Sequence, residues 1–174
     1  MTEQYKANFE KGLDYQDYVI DQLLRYHGWP LIAYTSKSWQ LKGETSSGVE
    51  IKYDQGCIKT GNHYIEVAEK ANSENAKYVP SGIYRTDNSF LYLIGTYDAA
   101  YLFSKPQLQR VYESRNSWQR LGIRETEIPT SKGFLFPIES AAKNGYMLHK
   151  FEFYPTAGSN KYPTDAVLPW DAKD

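Results

Sequence analysis

Two short stretches concentrate the residues that can do chemistry. They are Gly48-Val49-Glu50-Ile51-Lys52-Tyr53-Asp54 and, after a glycine-containing turn, Thr60-Gly61-Asn62-His63-Tyr64-Ile65-Glu66-Val67. Read as a strand, the first puts Glu50, Lys52 and Asp54 on one face and Val49, Ile51 and Tyr53 on the other, because side chains alternate along an extended backbone. If the second stretch pairs with it as a hairpin, Glu66 comes onto the charged face. Carboxylates in an apolar strand are costly unless paired or bound to a cation, and two or three of them around a lysine make an oxygen-ligand site suited to Mg²⁺. A solvated sheet face with Glu, Lys and Asp cross-strand pairs produces the same letters. Spacing alone leaves both readings open.

Other reactive side chains point to less. His27, His63 and His149 lack a second His or Cys at the ~3–5 residue spacing of a zinc site, so no zinc is expected. His63 is expected at the hairpin mouth, and the lone Cys57 falls in a turn with no sign of a nucleophile's role. Ser81, after Pro80, reads as the cap of a helical turn. No glycine-rich nucleotide-binding loop is present. Lys105, Arg110, Arg115, Arg120 and Arg124 stand near only Glu113 and Glu125. That series can track a phosphate backbone or form a solvated helix face. Sixteen tyrosines and four tryptophans suit base stacking, but they suit half-buried sheet positions better.

The elements that must position these residues follow from pattern. Asp14 can cap a helix over Tyr15–His27, with Tyr15, Tyr18, Val19, Leu23 and Tyr26 at helical spacing, Gly28 to end it and Pro30 to prevent continuation. Leu31–Thr35, Trp39–Lys42, Val49–Tyr53 and Tyr64–Glu69 then read as a β-meander separated by glycine turns. Phe90–Ile94 and Ala99–Phe103 read as two more strands, and Pro106 opens a helix over Gln107–Arg115. Gly133–Ile138 is an expected strand, Glu139–Asn144 a short helix and Tyr146–Phe153 a strand. Residues 1–154 form one expected domain, with a Pro-rich tail over 155–174.

Twenty Lys+Arg against 21 Asp+Glu leave a formal net charge of −1, which removes the bulk electrostatic argument for nucleic acid binding and leaves only local clusters. No run approaches the ~18 apolar residues of a membrane span. The first residues lack a secretory pattern and one cysteine has no intrachain partner, so the expectation is a reducing cytoplasm without membrane contact.

The ordered blocks Glu50-Ile51-Lys52-Tyr53-Asp54, Thr60-Gly61-Asn62, Ile65-Glu66 and Pro80-Ser81-Gly82-Ile83 resemble the PD-(D/E)xK nuclease superfamily. The likeness is to small phage and bacterial members carrying "(D/E)-hydrophobic-K-x-D … T-G-N-x-x-(I/V)-E" and then "P-S-G-I". It covers roughly Asp14 to Glu113. It implies an α/β (α+β) restriction-endonuclease-like core, a central mixed β-sheet with flanking helices. It also implies an Mg²⁺- or Mn²⁺-dependent endo- or exonuclease acting on nucleic acid, with DNA the expected form and a homodimer open as the assembly. In the preferred register Asp54 and Glu66 hold the metal, Lys52 is catalytic and Glu50 is a supporting acid. In the other, Glu44 is the first acid and Glu50-Ile51-Lys52 is the acid-x-lysine tripeptide. The family's lysine two after the second acid is here Ala68, with Lys70 two further on. The first helix of such folds can add a polar group, for which Asp17 and Asp21 are candidates. The departure at Ala68 motivates an alternative, a catalytically silent binding or regulatory protein on the same fold, such as a phage or defence factor.

Overall fold

A computed structural model of the chain describes residues 3–33 and 44–154. The expected strand Trp39–Lys42, part of Leu31–Thr35 and the Pro-rich segment over 155–174 lie outside the described residues. Helix α1 runs over Glu3–His27, longer than the pattern predicts, so Asp14 is an interior residue and not a cap. The reason is local: residues 3–14 contain no proline and only one glycine, so nothing there interrupts a helix. Its end is as expected. Gly28 takes φ +64°, and the Trp29 amide closes back on the Leu23 carbonyl at 2.9 Å.

Strands β1 (Val49–Tyr53), β4 (Leu91–Gly95), β5 (Ala99–Ser104) and β8 (Met147–Glu152) form one sheet in the order β1-β4-β5-β8. A second sheet has the order β3-β2-β7-β6, from β2 (Asn62–Glu69), β3 (Val79–Pro80), β6 (Arg124–Ile128) and β7 (Ser131–Pro137). The helices are α1, α2 (Cys57–Thr60), α3 (Lys105–Glu113), α4 (Trp118–Leu121) and α5 (Ile138–Lys143), five among the described residues. The class is α+β with two sheets, where the resemblance implies a single central one. The first sheet is mixed, since β1 runs parallel to β4 and the remaining pairs are antiparallel.

The expected meander does not form. β1 and β2 are successive but lie in different sheets, because α2 turns the chain out of β1's line. β1 takes β4 as its partner, pairing Glu50 with Tyr92 and Lys52 with Ile94, while β2 takes β7. The strands at 91–95 and 99–104 do pair as a hairpin, and α3 begins at Lys105 with Ser104 accepting from the Gln107 amide. β6, at the end of the basic series, is a strand where a continuous helix face was one reading. Arg115 pairs with Glu125 at 3.1 Å, Arg120 donates to Asn144 and Lys105 is buried, so these cations do not form one track.

Alternation along β1 divides two cores. Val49 and Ile51, with Leu93 of β4 and Phe151 of β8, pack against Tyr15, Tyr18, Val19 and Leu23 of α1. On the other side Tyr92, Ile94 and Phe103 share a core with Ile65 and Val67 of β2, Phe134 and Phe136 of β7 and Leu108 of α3. Each fully buried Leu, Ile or Phe contributes about 1.5–3 kcal/mol relative to exposure.

Candidate active-site cleft

The charged face of β1 looks into the second core and not into solvent. Glu50 is fully buried, which removes the reading of this face as a wet sheet surface. Its carboxylate is held by two ammonium groups, Lys52 Nζ at 2.9 Å from Oε1 and Lys105 Nζ at 3.0 Å from Oε2. Lys105, at the first position of α3, also donates to Asp87 Oδ1 at 2.9 Å and to Ser89 Oγ at 2.6 Å. Burial pushes the Asp87 carboxyl up, but its hydrogen bonds from Lys105 and Ser89 outweigh that and leave it below the ordinary carboxylate range. Lys52 is the member of this network that reaches solvent, its side chain being 27% exposed.

Beyond Lys52 a cleft of about 180 Å³ opens, lined by Lys52, Tyr53, Asp54, Tyr64, Glu66, Tyr92 and Ile94. It lies where the end of β1 and the middle of β4 meet β2. Three of the predicted site residues, Lys52, Asp54 and Glu66, therefore share one cavity although no hairpin joins them. Glu50 stands behind it and touches it through Lys52. Glu44, the first acid of the other register, opposes Glu50 in an isolated antiparallel bridge. It is fully buried, accepts from the Asn88 amide at 3.1 Å and does not line the cleft.

Each cleft acid is oriented by its own bonds. Asp54 directly follows β1, and its Oδ2 accepts from the Tyr64 amide at 3.1 Å and faces His63 Nδ1 at 3.2 Å. Glu66 Oε1 accepts from Ser81 Oγ and Oε2 from Ser131 Oγ, both at 2.7 Å. Since the Ser131 proton goes to Glu66, the Tyr64 hydroxyl donates to Ser131 at 2.6 Å. Arg85 donates to Ser81 at 3.0 Å, extending the chain Arg85-Ser81-Glu66. Ser81 thus serves Glu66 and makes no side-chain cap to the 3-10 turn Gly82–Tyr84, contrary to the expectation. Gly82 explains the block around it. At φ +51° a Cβ there would sit 2.2 Å from the Glu66 carbonyl oxygen, so only glycine lets Ser81 lie flush against β2. A β-bulge between Glu66 and Ala68 breaks the register with β7 at this point, a device that re-aims side chains next to sites.

Tyr92 forms part of the cleft wall. Burial, then the nearby Glu50, Glu66 and Asp54 carboxylates, raise its phenol well above the ordinary value, so it remains a neutral donor. No lysine comes to the cleft at Ala68: Lys70 lies over the Tyr78 ring at 4.8 Å, and Lys132 pairs with Glu127. Asp17 and Asp21 belong to α1, on the far side of the sheet, where Asp21 pairs with Arg25.

The sequence pattern underplays His63 and Cys57. His63 is fully buried, its ring 4.8 Å from that of Tyr101, and the Cys57 thiol is pushed up to about 11 by burial first and then by Asp54. Cys57 is thus an un-ionised thiol at neutral pH in the metal-free protein, the opposite of what a nucleophile needs. The signal for Ser81 was its place in the Pro-Ser-Gly-Ile block. Nothing local marks Ser131 or Lys105, which reach the site from 65 and 55 residues away along the chain. Comparison with protein-family models, with curated proteins and with solved structures finds no match for the chain. Among the described residues, no helix is long and apolar enough to cross a membrane.

Proposed function

We propose that the cleft is the site of a metal-assisted phosphodiesterase acting on nucleic acid, with DNA as the first substrate class to test. The observation that carries this is the meeting of one solvent-reaching lysine with two separately oriented carboxylates in a single cavity. Asp54 and Glu66 offer hard oxygen donors, each carboxylate oxygen keeping lone-pair capacity beyond the bonds described, and this donor set fits Mg²⁺ or Mn²⁺. The cation, when bound, lowers the pKa of a coordinated water and offsets charge building on the phosphate. Lys52 supplies a fixed positive charge beside the reacting phosphate and orients the attacking water. Glu50, held from behind by Lys105, keeps the Lys52 ammonium turned into the cleft. Ser81 and Ser131 fix the Glu66 carboxylate.

The test is cleavage of supercoiled plasmid, duplex, single-stranded and branched DNA and of RNA, with Mg²⁺, Mn²⁺ or chelator, beside Lys52→Ala. Metal-dependent cutting that disappears in a folded Lys52→Ala protein supports the reading, and cutting that persists in the pure variant overturns it. The engagement of both Glu66 oxygens by serines, with Ala68 in place of a lysine, favours a second reading: a silent nuclease-fold binding or regulatory protein. Calorimetric titration with Mn²⁺ separates them, since a silent cleft gives no saturable heat that is lost in Glu66→Ala.

A further inference from the structure

The ten residues from Asp54 to His63, which lead from the end of β1 into β2, carry three different metal-ligating side chains, and the chain folds them together. One oxygen of Asp54, the sulfur of Cys57 and one ring nitrogen of His63 all lie within 4.8 Å of one another. Their positions come from three elements in a row: Asp54 directly follows β1, Cys57 opens the helical turn α2 and His63 is the second residue of β2. The turn that carries Cys57 is closed by the Gly61 amide on the Cys57 carbonyl at 2.8 Å, and the Tyr64 amide, next to His63, donates to Asp54 Oδ2 at 3.1 Å. The setting is dry. Cys57 is 6% exposed and His63 is fully buried. With His63 Nδ1 turned to Asp54, its Nε2 has no hydrogen-bond partner among the described residues, so the imidazole bears a desolvation cost that one weak contact does not offset.

We infer that Asp54, Cys57 and His63 form a site for a borderline-soft divalent transition metal, with Zn²⁺ as the physiological class. The donor set decides the metal. A thiolate and an imidazole with one carboxylate match Zn²⁺ and not Mg²⁺, and three protein ligands leave a fourth position for solvent. Binding replaces the Cys57 thiol proton, which passes to solvent, by the metal. The inference runs against the sequence expectation of no zinc, which rested on spacing between His and Cys alone and did not consider a carboxylate as the third ligand. It is separate from the hydrolytic proposal in Cys57 and His63, neither of which lines the cleft, and shares with it only Asp54.

Because Cys57 is the only cysteine in the chain, the experiment can assign the ligand without a variant. The metal-free full-length chain is titrated with Co²⁺ at neutral pH while the near-ultraviolet spectrum is recorded. The expected result is a thiolate-to-cobalt charge-transfer band that saturates at one Co²⁺ per chain and vanishes on addition of one equivalent of Zn²⁺. Cys57→Ser should lose the band and bind Zn²⁺ at least about tenfold more weakly, and Cys57→Ala serves the same purpose if the serine variant does not fold. Absence of the band in the wild-type protein at excess Co²⁺ overturns the site. So does Zn²⁺ affinity that is unchanged in a folded Cys57 variant. Nuclease activity enters neither readout, so the two proposals can fail separately.

Discussion

On the α1 side of β1, Val49 and Ile51 sit among Tyr15, Val19, Leu23 and Phe151, a region dominated by apolar packing and tolerant of small changes in volume. On the other side of the same strand Glu50 and Lys52 are held by charge, in a network that ends at Asp87 and includes the fully buried Glu50. Both regions are dry, yet their vulnerabilities differ. Trimming an apolar side chain on the first side costs roughly the area it covered. Removing a partner on the second leaves a buried charge unpaired, which costs several times more than the pair contributes. The difference teaches that the charged side is not arranged for stability, since isosteric apolar residues would pack there without that risk. It presents one ammonium, Lys52, to the cleft.

Substitutions that break the contrast can be ordered by expected effect. Lys105→Ala leaves the Asp87 carboxylate without its counter-charge and Glu50 with Lys52 alone, and should cost about 3–5 kcal/mol of unfolding free energy, read by chemical denaturation. A drop below about 1 kcal/mol would mean that the network is solvated in solution. Lys52→Ala should act on the other axis: cutting falls by about 10²–10⁴-fold while the unfolding midpoint shifts little, because Glu50 retains Lys105 and Lys52 is partly exposed. Ser81→Ala removes one of the two hydroxyls from Glu66 and should cost about 1.5–3 kcal/mol in whichever process uses that carboxylate. Comparing its effect on Mn²⁺ affinity with its effect on stability tells which process that is. Ile51→Val, the control from the apolar side, should cost about 0.5–1.5 kcal/mol and leave cutting unchanged; an altered cleavage rate would show that the two sides are mechanically coupled.

The smallest effect is nil at neutral pH and emerges only in alkali. In the metal-free protein the Cys57 thiol rises from its ordinary 9.0 to about 11, so below pH 9 folded and unfolded chains are both protonated and stability is complete. As pH climbs from 9 towards 11 the unfolded chain releases this proton first, and stability declines with a slope of one proton. Buried tyrosines raised in the same sense, Tyr15 and Tyr92 among them, add their own decline near the top of that range. Thermal scans should therefore show a steeper fall in wild type than in Cys57→Ala, with the difference first visible just above pH 9.

Much of the local structure was legible because its causes are local. Gly28 and Pro30 stop α1, Pro106 sits in the first turn of α3, short apolar runs mark β4, β5 and β7, and alternation marks β8. The alternation of Glu50, Lys52 and Asp54 was legible for the same reason, and it places Lys52 and Asp54 in the cleft. Pairing was not legible. Whether Val49–Tyr53 joins the next strand or one forty residues on depends on which partner covers its apolar face, and α1 with Leu93 decides that. The start of α1 was missed for the opposite reason, an absence of breakers being a weaker mark than the presence of a cap at Asp14.

What the sequence by itself determined is therefore a set of short-range facts: which residues alternate, where helices must end, and that acids and a lysine lie together on one strand. Tertiary structure alone decided that Glu66 comes to Lys52 from a second sheet, that Glu50 is enclosed between two lysines and that Cys57 and His63 converge on Asp54. The physical reason is range. Backbone sterics and capping act over a few residues, whereas the site is completed by the packing of two sheets, Lys105 reaching Glu50 across 55 residues and Ser131 reaching Glu66 across 65.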